Sequence, residues 1–275
     1  MPPVLLGVDF TSAPSRLKPI VVARGMLVGS RLALQRIDAL QSFADFEAML
    51  REPGPWLGAF DFPFGLPREL VLALHWPERW PTLMCHYAAL PRADIRTQFA
   101  AFCAARPAGR KFAHRACDGP AGSSPSMKWV NPPVAYMLHA GVPRLIDAGV
   151  HLPALHGGDC QRVALEAYPG LLARELIGAR SYKSDDKARQ TPERLIARKD
   201  MLEALEQGRS RLGIRVAMSH AQRDALAADA SGDRLDALLC LVQAAWASTR
   251  PDHGLPAVVD PLEGWIVSAD PSLKR

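Results

Sequence analysis

The chain has no cysteine pattern that would make a disulfide framework. Its five cysteines, at 85, 103, 117, 160 and 240, are odd in number and form no C-x-x-C pair. They read as reduced thiols of a cytoplasmic protein. No apolar run reaches the roughly 18 residues of a membrane helix. The first residues lack the basic stretch and long apolar segment of a signal peptide. There is no G-x-x-x-x-G-K, and no G-x-G-x-x-G follows the first apolar run, so two glycine-rich phosphate cradles are missing. A G-x-S-x-G elbow is also absent, and Lys128 does not complete an S-x-x-K with Ser123 or Ser124. Cys85-His86 and His114-x-x-Cys117 are poorly spaced to close on one zinc ion. No internal repeat or low-complexity tract occurs.

What is present is ordinary for a globular chain. Of 275 residues, 48% are hydrophobic and 22% charged, enough for one sizeable core. The balance of 33 basic against 28 acidic residues gives +5, which permits an anionic partner such as nucleic acid without requiring one.

Apolar residues over 3–10 predict a central strand, and 19–24 and 28–37 predict two more, turning at Gly25. Ser42 is placed to cap a helix through Leu50, and Pro67 to open another. A strand ending at Asp61 lies between them. Residues 76–160 break the pattern and read as a helical and irregular insertion within a single domain spanning 1–275. Helices are expected near 95–105, 134–138 and 144, with an irregular stretch over 119–133. The strand pattern resumes at 162–167. Helices follow at 171–177, 190–207 (capped by Thr191) and 233–248, and a last strand at 263–268. Three hairpin-linked strands followed by alternating helices and strands predict an α/β fold with a mixed sheet, antiparallel at one edge.

Four acids stand in unusual company. Asp9, Asp61 and Glu166 each end an apolar run, and Asp236 interrupts the helical run Leu235–Val242. A carboxylate is costly to bury unless it is paired, protonated or bound to a metal. Strand ends in an α/β sheet open into one crevice. Asp233 and Asp236 are three apart and share a helix face. Clustered carboxylates call for a hard cation, Mg2+ or Mn2+. Two such ions are the usual apparatus for phosphodiester hydrolysis. Blander readings stand beside this one. A strand-end aspartate also serves as a loop acceptor, Asp233 as an N-cap, and Glu166 as a partner for Arg162 or Lys183. Lys128 with Trp129, and Lys183 in its own basic cluster, are candidates to bind a phosphate and stack a base. Trp129 folded under its loop, and Lys183 paired with Asp185 or Asp186, are the alternatives.

The segments GVDFTSAP (7–14), FDFPFGLP (60–67), GSSPSMKWVNPP (122–133), LEAYPG (165–170), SYKSDD (181–186) and GDRLDALLC (232–240) resemble a mostly bacterial family, domain of unknown function 429. Its members are described as predicted nucleases with a ribonuclease H-like fold. The resemblance covers nearly the whole chain. It implies a metal-dependent nuclease in which Asp9 matches the first-strand acid and Asp61 the fourth-strand acid. Asp233, Asp236 and Ala237 are similar to the last helix of Holliday-junction resolvases. Glu166 has no counterpart in the simplest members. The same core also occurs in actin-like ATPases and sugar kinases. A phosphotransferase is therefore one alternative, and a catalytically silent nucleic-acid-binding module is another.

Overall fold

In the computed structural model, which describes residues 2–273, the first apolar run forms β1 (Val4–Asp9). β2 (Ile20–Val28) pairs antiparallel with β1, and β3 (Arg31–Leu40) antiparallel with β2. α1 (Phe43–Leu50) leads into β4 (Trp56–Asp61), which lies parallel to β1 on its other side. Then come α2 (Arg68–Ala73), α3 (Trp80–Ala89), α4 (Arg92–Ala104), α5 (Asp118–Ala121), α6 (Val134–Asp147) and the short β5 (Val150–His151). β6 (Asp159–Glu166) is parallel to both β4 and β5. α7 (Pro169–Ile177), α8 (Pro192–Gln207), β7 (Arg215–Ala217), α9 (His220–Ala228) and α10 (Asp233–Ala247) follow. The seven strands run in the order β5-β6-β4-β1-β2-β3-β7. This is the expected α/β architecture, a mixed sheet flanked by helices.

The two sheet faces are written in alternating side chains. Leu6, Val8 and Phe10, with Trp56, Phe60 and Phe62, face one core. That core also takes in Trp80, Leu83, Phe99 and Leu138 from the 76–160 segment. Leu5, Leu57 and Ala59 face the other core, with Met201, Leu238 and Leu241 from α8 and α10. Gly7 lies on this second face. A Cβ there would sit 2.1 Å from both the Ala237 carbonyl oxygen and the Leu241 amide nitrogen. Only glycine lets α10 lie directly on the middle of β1.

Local signals explain much of the rest. Ser42 caps α1 reciprocally with Asp45: the Asp45 amide donates to Ser42 Oγ at 3.1 Å and the Ser42 amide to Asp45 Oδ2 at 3.0 Å. Several expectations need correction. The first hairpin turns at Gly29, with φ of 61°, and Gly25 lies inside β2 at a bulge. Gly25 is there for space, since a Cβ would meet the Ala33 oxygen at 2.7 Å. α6 is one helix carrying Pro143, not two short ones. Thr191 precedes α8 but makes no side-chain cap. The run at 263–268 forms no strand; it touches β6 through a single bridge between Glu166 and Ile266. Among the described residues no helix is long and apolar enough to cross a membrane.

Candidate metal centre

Asp9 and Asp61 are register partners on adjacent parallel strands. Both follow the alternation of Leu5–Gly7 and Leu57–Ala59, so both point to the face covered by α10. The close approach at Gly7 brings Asp236, one residue before Ala237, down beside them. Asp9, Asp61 and Asp236 each present a carboxylate oxygen, and these oxygens lie within 4.8 Å of one another. In an octahedron with bonds of about 2.1 Å, ligand oxygens stand about 3.0 or 4.2 Å apart. The trio offers the oxygen donors a hard divalent cation takes, gathered within a few tenths of an ångström of that spread.

The electrostatics agree. Burial pushes the Asp9 carboxyl well above the usual range, and Asp236, Asp233 and Asp61 push it further; Lys183 opposes them. Burial, then Asp236, raises Asp61 to about 7, with Lys183 again opposing. Asp236, fully buried, is raised by burial and held back chiefly by Lys183. A cation in their midst would reverse this mutual repulsion.

Asp236 is held at both oxygens. The Tyr182 hydroxyl donates to Oδ1 and the Lys183 ammonium to Oδ2. These two residues belong to a strap over 181–186 that crosses the start of α10. Gly232 lies close against it, since a Cβ there would meet Lys183 Cβ at 2.6 Å. Lys183 thus belongs to the carboxylate cluster and is not simply a surface partner of Asp185 or Asp186. Asp233 stands beside the trio without joining it. Its Oδ1 accepts from Lys18 Nζ at 2.8 Å, and Lys18 also reaches Asp185 at 2.9 Å. The N-cap position of α10 is Gly232, with Asp233 one residue inside the helix.

Glu166 goes elsewhere. It is the register partner of Phe60, not of Asp61, and so points to the opposite sheet face. There Arg115 grips it with two bonds of 2.6 and 2.7 Å, and the Phe64 amide donates at 2.9 Å. Arg115 also binds Asp118 at 3.0 Å, and all three side chains are buried. Burial pushes the Glu166 carboxyl up, while Arg115 draws it back. Neither Arg162 nor Lys183 is its partner; Arg162 pairs with Asp159 at 2.8 Å. The structure thus gives Glu166 an ion pair that locks the 115–118 segment to the end of β6, in place of a position among the three converging aspartates.

Trp129, partly buried, packs its ring 5.7 Å from Phe112 and 6.5 Å from Phe99 and does not line the cavity above the acids. Lys128 does not line it either. That cavity, of about 450 Å³, is lined by Asp9, Asp61, Asp233, Lys18 and Lys183, and Arg115 and Glu166 border it as well. Sequence reasoning missed Tyr182, Lys18 and Arg115. Tyr182 was signalled only by its place beside Lys183 in SYKSDD. The other two meet their decisive partners, Asp233 for Lys18 and Glu166 for Arg115, across a long stretch of chain. Comparison with protein-family models, with curated proteins and with solved structures gives no match.

Proposed function

We propose that this protein is a divalent-cation-dependent nuclease, a phosphodiesterase of ribonuclease H-like fold related to the family named above. The observation that carries the reading is the convergence of Asp9, Asp61 and Asp236 from two neighbouring strand ends and one helix. The strand order supports it: three antiparallel strands, then β4, β6 and the short β5 in parallel on the far side of β1, with the three-residue β7 added beside β3. The acids fall on the first strand, the fourth strand and the last long helix, as the resemblance implies.

In this reading Asp9, Asp61 and Asp236 hold Mg2+ or Mn2+. The bound cation would activate water and steady the charge that builds on the phosphate oxygens. Tyr182 and Lys183 fix the Asp236 carboxylate so that it does not rotate away from its neighbours. Lys183 is 43% exposed at its side chain and can also meet a phosphate at the cavity wall. Lys18 offers a second positive charge and keeps Asp233 neutralised. The basic net charge of +5 favours a polyanionic substrate.

The test is cleavage of end-labelled single-stranded, duplex and branched DNA and RNA, with Mg2+, Mn2+ or chelator. Wild type should cut at least one substrate only with the cation present, and Asp9→Asn should not. Equal background from wild type and Asp9→Asn would defeat the proposal.

A further inference from the structure

The cavity over the carboxylates has two unlike kinds of lining. One is charged: Asp9, Asp61, Lys18 and Lys183, with the Arg115–Glu166 ion pair also bordering it. The other is carbon: Pro132, Pro133, Val134 and Met137, at the start of α6, with Phe62 and Ile266. Ser123 and Ser124 line the cavity too. The segment that supplies the carbon wall is clamped in place. Arg115 and Asp118 tie it to β6, the Ser123 hydroxyl donates to Asp118 at 3.1 Å, and the Ala135 amide donates to the Lys128 carbonyl at 2.9 Å.

A volume of about 450 Å³ is that of a small-molecule pocket, which typically holds 300–1,000 Å³. It is not a groove that tracks a double helix, whose bases stay stacked inside. A ligand that suits both walls carries a phosphate at one end and a flat, apolar body at the other. We propose that the site takes one unpaired nucleoside phosphate at a time, its phosphate at the acid–lysine wall and its base against Pro132–Met137. This rests on the cation reading of the acids. The nucleoside phosphate can be a free nucleotide or one nucleotide of a strand, either at its end or turned out of the stack, which costs least where the base is unpaired.

The experiment begins with Mn2+ alone, titrated into the protein and followed by calorimetry. Adenosine 5′-monophosphate and inorganic phosphate are then titrated into the Mn2+-loaded protein. Adenosine monophosphate should bind at least about tenfold more tightly, the worth of burying one face of a base. Met137→Trp, which fills the carbon half, should remove that advantage and leave the Mn2+ titration unchanged. Pro133→Gly, which thins the wall without filling it, should reduce the advantage. A single-stranded oligonucleotide should displace the nucleotide better than a fully paired hairpin of the same length. If it does so, the source includes strands; if neither displaces it, the source is a free nucleotide. Equal binding of phosphate and adenosine monophosphate, or displacement of the nucleotide equally well by hairpin and single strand, would overturn this inference and leave the cation reading standing. Failure of wild type to bind Mn2+ would bring down both.

Discussion

Replacing Gly7 with alanine tests how the centre is assembled. The added methyl would lie 2.1 Å from the Ala237 oxygen and the Leu241 nitrogen, and 2.6 Å from Leu241 Cα. These are backbone atoms of α10 and cannot rotate aside. Ordinary contact begins near 3.4 Å, so helix and strand must separate by the difference, about 1.3 Å. Thirteen of the fifteen residues of α10 are buried, so the gap opens along most of the helix. Overpacking of this kind costs about 1–3 kcal/mol, and a backbone clash belongs at the upper end. The same shift carries Asp236 away from Asp9 and Asp61, which should weaken Mn2+ binding about 10- to 100-fold. Urea unfolding gives the first quantity and Mn2+ calorimetry the second. Gly157→Ala is the control, because a Cβ there meets nothing within 4 Å. A Gly7→Ala protein with the stability and Mn2+ affinity of wild type would refute the close-approach argument.

The cation-free protein should lose stability as pH rises. Asp61 has a folded pKa of about 7 against an ordinary 3.8, so its protonated form favours folding fully below about pH 4. That contribution disappears as pH climbs through 7. At about 1.4 kcal/mol per pH unit the loss approaches about 4 kcal/mol. The melting temperature in chelator should therefore fall between pH 5 and 8, Mg2+ should restore more of it at pH 8 than at pH 5, and Asp61→Asn should flatten the curve; a flat wild-type curve contradicts the reasoning. Arg115→Met strands Glu166 and Asp118 without their partner and should cost about 3–5 kcal/mol in urea unfolding. Glu166→Gln should retain Mn2+ binding where Asp61→Asn loses it, and the opposite ranking would return Glu166 to the ligand set. Lys183→Met removes a positive charge beside the acids, so Mn2+ titration should show tighter binding while cleavage falls; weaker Mn2+ binding would show that Lys183 chiefly positions Asp236.

The acids that converge were visible in the sequence because each breaks an apolar pattern at a strand end or on a buried helix. Glu166 broke its pattern too, and there the reading stopped one step short. Val163, Leu165 and Ala167 alternate on one face of β6, so Glu166 belongs to the other face. The period was legible. The register that sets Glu166 beside Phe60, with Asp61 one residue further on, depends on pairing between strands separated by some hundred residues. β5 and β7 have two and three residues, too few for any periodicity to declare itself. α3 was hidden behind the two prolines of WPERWP, although the second takes the position after Trp80, where a helix tolerates it. α9 went unseen despite a Ser219–Gln222 capping box. The run at 263–268 was apolar enough for a strand, but its burial comes from packing against α5 and α7.

The docking of α10 on β1 also bears on when the centre comes into being. Asp9 and Asp236 are 227 positions apart, from 9 to 236, and the carboxylate cluster needs both. Contacts that span so much sequence form late, after the entropy of closing the intervening loop has been met. On the ribosome, β1 to β4 can pair while the last helix is still unmade, and at that stage Asp9 and Asp61 stand at an open strand edge with no third carboxylate. The three carboxylates therefore come together only as α10 closes over the sheet. Until then a nascent chain presents two of the three, Asp9 and Asp61, and no closed cluster.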